Sequence, residues 1–107
     1  MEFQEVINSI YVGMKFKKPR VESEIIAIND KRIIYSIGNK GNSKNITIEA
    51  LENAFNEILT NGELSRTWFN KSYPSLAKTS PCNFTSLGGI LEHIGLVEYI
   101  QKKYIKR

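Results

Sequence analysis

Two adjacent glycines, Gly88 and Gly89, interrupt a segment that otherwise carries every mark of a short helix. Leu87, Ile90, Leu91 and Ile94 fall at i, i+3, i+4 and i+7 and form one apolar stripe. The spacing predicts a helix over 86–94, started by Thr85 or Ser86, whose hydroxyl can accept a first-turn backbone N–H. Gly95 suits the left-handed position that closes a helix, and Leu96 can then fold back onto Leu91. Each interior glycine costs roughly 1 kcal/mol against alanine. The compensation expected is close approach: Gly88 and Gly89 should let another backbone, a ligand or a partner come near this face.

Ahead of this helix the hydrophobic period changes. Val12, Met14 and Phe16 alternate with polar residues, and Pro19 ends the run. Glu24–Ile28 and Arg32–Ile37 are two further β-rich runs, joined by the turn-forming Asn29-Asp30-Lys31. A longer turn is expected from Gly38 to Ser43, followed by a fourth strand over Asn45–Ile48. Met14, Phe16, Ile26, Ile28, Ile34 and Ile46 are the expected core of this sheet, although alternation alone does not say which face is buried. Phe3, Val6, Ile7 and Ile10 are spaced for a short helix over 2–9, with a loose arm as the alternative.

From Thr47 onward the period is helical. Thr47 should cap a helix over 48–60 with the stripe Ile48, Leu51, Phe55, Ile58 and Leu59, ended by Asn61-Gly62. Ser65 should cap a second helix through Lys71 that ends near Pro74, with Trp68 and Phe69 in the core. Ser75–Lys78 can add a turn, and Thr79–Asn83 is expected as a loop. Residues 96–107 fit a strand or a helix equally. The expected fold is α+β: an antiparallel meander of three or four strands packed with a C-terminal three-helix unit. One domain is expected, with a β-rich half over 1–46 and a helical half over 47–107.

The charge is one-sided. Residues 1–60 carry eight Lys/Arg against eight Asp/Glu, whereas 61–107 carry seven against three, which accounts for the whole net +4. Four of those cations, Lys102, Lys103, Lys106 and Arg107, lie at the very end. Basic, one-sided charge favours polyanions such as nucleic acid. Cys82 is the only cysteine, so no internal disulfide forms and nothing argues for an oxidising compartment. The N-terminus is acidic where a secretory signal is basic, and no apolar run approaches the roughly 20 residues needed to span a bilayer. A cytoplasmic protein without membrane contact is the expectation.

Catalytic chemistry finds few candidates. Cys82 and His93 are the only pair of thiol and imidazole, and no third group is signalled to orient them. Zinc ligands at tight spacing are absent, as is a phosphate-cradling loop of the Gly-x-x-x-x-Gly-Lys type. No enzyme, metal or cofactor is expected.

Three helices around 48–60, 65–72 and 86–94, followed by a segment beginning Gly95-Leu96-Val97, together resemble a winged-helix or helix-turn-helix unit over residues 47–107. The resemblance implies that the double-glycine helix is the recognition helix and the basic end the wing. One departure matters: the helix starting near Ser86 has no Arg, Lys, Asn or Gln to read base edges. The expected function is therefore a non-catalytic nucleic-acid-binding module, for DNA first. Its phosphate contacts would come from Lys102, Lys103, Lys106 and Arg107, with Lys78, Lys71 and Arg66 nearby. The alternative is a protein-interaction or assembly module, docking through the β edge or the Gly88–Gly89 face.

Overall fold

The computed structural model of the chain describes residues 1–37 and 41–107, so the Gly38-Asn39-Lys40 part of the expected turn lies outside the described residues. The fold is α+β, an antiparallel four-stranded sheet followed by helices and a second small sheet. Helix α1 (Phe3–Ser9) precedes strands β1 (Lys15–Lys17), β2 (Glu22–Ile28), β3 (Arg32–Ile37) and β4 (Asn42–Thr47), which pair in chain order. Asn29 makes the β2–β3 turn: its Oδ1 accepts the backbone N–H groups of Lys31 and Arg32, both at 2.8 Å.

Two strands bury the face opposite to the one expected. Ile25, Ile33 and Tyr35 are fully buried, while Ile26 is exposed and Ile28 and Ile34 are half-buried. The register between β2 and β3 shifts between Ile25 and Ala27, a bulge that no local residue announces. Because side chains alternate, choosing the other face moves every residue of the strand at once. Met14, Phe16 and Ile46 do lie in the core.

Thr47 then caps helix α2 (Ile48–Asn61), its Oγ1 accepting the Ala50 N–H at 3.0 Å. Gly62 closes the helix at a φ of 77°. A two-residue strand β5 (Glu63–Leu64) follows, then α3 (Arg66–Ser72), capped by Ser65. A further short helix α4 (Pro74–Thr79) forms where Ser75–Lys78 is expected to add a turn. Phe69 is buried and Trp68 is half-buried, packed on the core edge-to-face with Tyr73.

Helix α5 spans Cys82–His93, one turn longer at its start than the sequence suggests. Pro81 precedes it with a φ of −61°, already helical, and no side chain caps it. Thr85 and Ser86 are therefore inside the helix, where their hydroxyls donate back to the Cys82 carbonyl at 2.9 and 3.1 Å. Its far end closes as expected. With Gly95 at φ +89°, the Leu96 N–H bonds Leu91 O and the Gly95 N–H bonds Glu92 O, the two bonds of a Schellman motif. Ile94 is only half-buried.

Residues 97–106 form a β hairpin, which decides between strand and helix for the chain end. Strands β6 (Val97–Ile100) and β7 (Lys103–Lys106) pair with β5 in the order β5-β7-β6. From α2 to β7 the succession is helix, strand, helices, then a hairpin returning to that first strand, a winged-helix-like arrangement with one extra helix. One hydrophobic cluster runs through both halves, from Val6 and Phe16 through Phe55 and Leu91 to Tyr104. Asn83 ties them: its Oδ1 accepts the Tyr35 hydroxyl at 2.6 Å and its Nδ2 donates to Asn45 O at 3.2 Å.

Candidate nucleic-acid interface

The β6–β7 hairpin turns on Gln101 and Lys102, both at positive φ, 51° and 66°. Two-residue turns of this primed type match the strand twist, but usually use Asn and Gly. Left-handed backbone at two ordinary residues costs on the order of 1 kcal/mol each. The result is a tight tip with Lys102 exposed. Lys103 follows in β7, exposed, with its Nζ 3.2 Å from Glu63 Oε2. Both side chains of that pair are well solvated, so it contributes at most about 1 kcal/mol. Lys106 anchors the last strand by its backbone, N–H to Gly62 O at 2.9 Å, and leaves its side chain exposed. The Arg107 N–H bonds Leu96 O at 3.0 Å.

Arg107 lines a groove of about 440 Å³ that it shares with Lys15, Lys17 and His93, and with the acidic Glu22 and Glu92. Strand β1 thus brings two lysines of the charge-balanced half to the basic chain end. Sequence reasoning missed them because it summed charge along the chain. Their signal was local: in Lys15-Phe16-Lys17 the buried Phe16 turns both flanking lysines outward. The basic surface is not uniform, since Lys15 and Lys17 stand opposite Glu24 and Glu22 in the ladder. Glu92 is partly occupied, accepting the Tyr99 N–H at 2.8 Å.

The remaining sequence candidates separate. Lys71 and Lys78 lie in the last turns of α3 and α4, where positive charge suits the helix dipole. Neither helix is a principal neighbour of the hairpin. Arg66 is committed to structure: its Nη1 donates to Pro81 O at 2.6 Å and its guanidinium stacks over Phe84, 4.5 Å from the ring centre.

The helix in the recognition position is covered. Gly88 and Gly89 are buried. A β-carbon on Gly88 would clash with the Tyr104 ring, and one on Gly89 would come within 2.5 Å of the Lys17 carbonyl oxygen. Close approach is thus realised, but by this chain's own residues, which fill the face expected to receive a partner. Leu87, Ile90 and Leu91 are buried too, so α5 presents no reading face.

Cys82 and His93 begin and end α5, and eleven residue steps of helix separate them by about 16 Å at 1.5 Å per residue. Among the described residues no three His, Cys, Asp or Glu side chains gather as a metal site requires. No helix among them is long and apolar enough to cross a membrane. Comparison with family models, curated proteins and solved structures yields no match for this chain.

Proposed function

We propose that this protein is a non-catalytic nucleic-acid-binding module, for DNA first, which grips the phosphate backbone through its C-terminal hairpin. One observation carries the reading. A hairpin with a strained two-residue turn holds Lys102, Lys103, Lys106 and Arg107 in solvent, in the position that a wing takes in the chain order. Strain kept at an exposed tip points to use of that tip. Contact is to the backbone and independent of sequence, because α5 buries its apolar stripe and leaves only His93, in its last turn, well exposed. The test exchanges Lys102, Lys106 and Arg107 for Gln and titrates a DNA duplex at graded salt. Affinity should fall for every sequence, and the log–log salt slope should flatten by roughly 0.9 for each phosphate no longer neutralised. If the native chain binds neither DNA nor RNA at low salt, the reading fails.

A specific observation favours the assembly alternative. Tyr11, Val12 and Ile26 are exposed apolar residues on stretches joined by the Gly13 N–H to Ile25 O bond of 2.7 Å. They lie beside β1, an edge strand of three residues. Salt-insensitive self-association that Val12→Lys abolishes would move the function to this edge.

A further inference from the structure

Two lysines outside the hairpin approach one buried tyrosine. Lys18, just after β1, and Lys44, in β4, are both half-buried. Lysine normally keeps its ammonium in water or beside a carboxylate. Neither has a carboxylate within ion-pair distance: among the described residues the ion pair found is Lys103 with Glu63. Instead both converge on Tyr35. The Lys18 ammonium lies over its ring, 5.0 Å from the centre, and Lys44 is its direct cross-strand neighbour. Lys44 Nζ also reaches Ser80 Oγ at 3.4 Å, beside the first turn of α5. The Tyr35 hydroxyl meets that same turn, at Asn83 Oδ1 and 3.7 Å from Cys82 Sγ.

Burial lowers the Lys18 pKa, and the charge of Lys44 adds to the effect while Cys82 acts in the opposite direction. Lys18 is thus a partly desolvated charge that feels a second cation, beside the positive end of a helix dipole. Such an arrangement destabilises the empty protein and favours an anion that enters it. A single carboxylate would leave one ammonium unmatched. A phosphate monoester carries about −1.5 to −2 near neutral pH and offers three acceptor oxygens.

We propose that Lys18 and Lys44, with the Ser80 hydroxyl that Lys44 reaches, form a binding site for a phosphoryl group. The site does not depend on the hairpin reading. Its phosphoryl oxygens could belong to a small phosphorylated ligand or to a nucleic-acid backbone reaching this side of the molecule. The two sources share the chemistry and differ in what competes.

The full chain is melted in sodium pyrophosphate and in sodium chloride of matched ionic strength, as wild type, Lys18→Gln and Lys44→Gln. Pyrophosphate should raise the wild-type melting temperature by several degrees over chloride, as ligand binding to the folded state requires. Both variants should lose that rise, with pyrophosphate affinity down roughly tenfold or more for each charged donor removed. Without the anion, Lys44→Gln should melt no lower than wild type, because a repulsion has been removed. If Lys18→Gln fails to fold, Lys18→Arg takes its place and should keep the response. A wild-type rise no larger than in chloride, or one that survives Lys44→Gln, overturns the proposal. Displacement of pyrophosphate by a DNA duplex assigns the site to a nucleic-acid backbone, and retention assigns it to a small ligand. The response should persist when Lys102, Lys106 and Arg107 are neutralised, so this site and the hairpin fail separately.

Discussion

The phenol ring of Tyr104 occupies the space that a β-carbon on Gly88 would need. Helix α5 and strand β7 therefore approach more closely than any residue with a side chain permits. On its other flank α5 meets the Lys17 carbonyl at Gly89. An exposed glycine-to-alanine change in a helix gains about 0.5–1 kcal/mol. Here the sign should reverse. Gly88→Ala must move a fully buried ring, and Gly89→Ala must move backbone, so each should cost about 1–3 kcal/mol. Denaturant melts decide it, and a rise in stability for either variant would show that the packing yields easily.

Arg66 should behave unlike Lys71 and Lys78, the other cations of the helical half. Arg66→Ala removes the bond to Pro81 O and the stacking on Phe84, which together tie α3 to the start of α5. The expected cost is about 1–2 kcal/mol, from one charged hydrogen bond and one exposed cation–π interaction. Lys71→Gln and Lys78→Gln, both at helix ends away from the core, should stay within about 0.5 kcal/mol. Equal melting curves for all three variants would return Arg66 to the solvated surface.

The contrast between these residues explains what was legible in the sequence. Helix signals are local: the Thr47 and Ser65 caps, Gly62, and the Gly95–Leu96 closure all stand in the structure as the spacing implies. Strand faces are not local. Which side of β2 and β3 is buried depends on where α5 lies, so Ile25 and Tyr35 rather than Ile26 and Ile34 reach the core. The hairpin was legible only as a basic, β-rich end. Its turn uses Gln101 and Lys102, neither of which announces positive φ. The Lys18–Lys44 pair was not legible at all, because Lys18 follows β1 and Lys44 lies in β4, strands that are not sequence neighbours.

Alkaline pH should unfold the protein in a defined window. Burial raises the pKa of Tyr35, with a further contribution from Cys82, and raises that of Tyr104, with contributions from Tyr99 and Glu92. Both are neutral in the folded and unfolded chains below the unfolded value of about 10. Their stabilisation is therefore complete below that pH and is lost as pH climbs towards the folded pKa. Each contributes up to about 1.4 kcal/mol per pH unit to the decline. Tyr104→Phe sacrifices only a long 3.4 Å bond to Thr85 O and should roughly halve the slope above pH 10. Phenolate absorbance from Tyr35 and Tyr104 should appear together with loss of the fold, and its appearance in the intact protein would refute their burial.

Glu63 offers a test of the hairpin that adds binding instead of removing it. Its carboxylate lies 3.2 Å from the Lys103 ammonium, and its backbone stands across the ladder from Ile105. That pair is solvated, so Glu63→Gln should change stability by no more than about 0.5 kcal/mol. It should, however, free Lys103 and remove a negative charge from beside the hairpin. If the hairpin grips phosphates, duplex affinity at low salt should rise several-fold, with the salt slope steepened by up to about 0.9 as one further phosphate is neutralised. Lys103→Gln should then be nearly silent in wild type, where its charge is already engaged, and costly in the Glu63→Gln background. That non-additivity is the signature of a masked cation. Additive effects, or an unchanged affinity on removing Glu63, would place the nucleic-acid path away from Lys103 and leave Lys102, Lys106 and Arg107 to carry it alone.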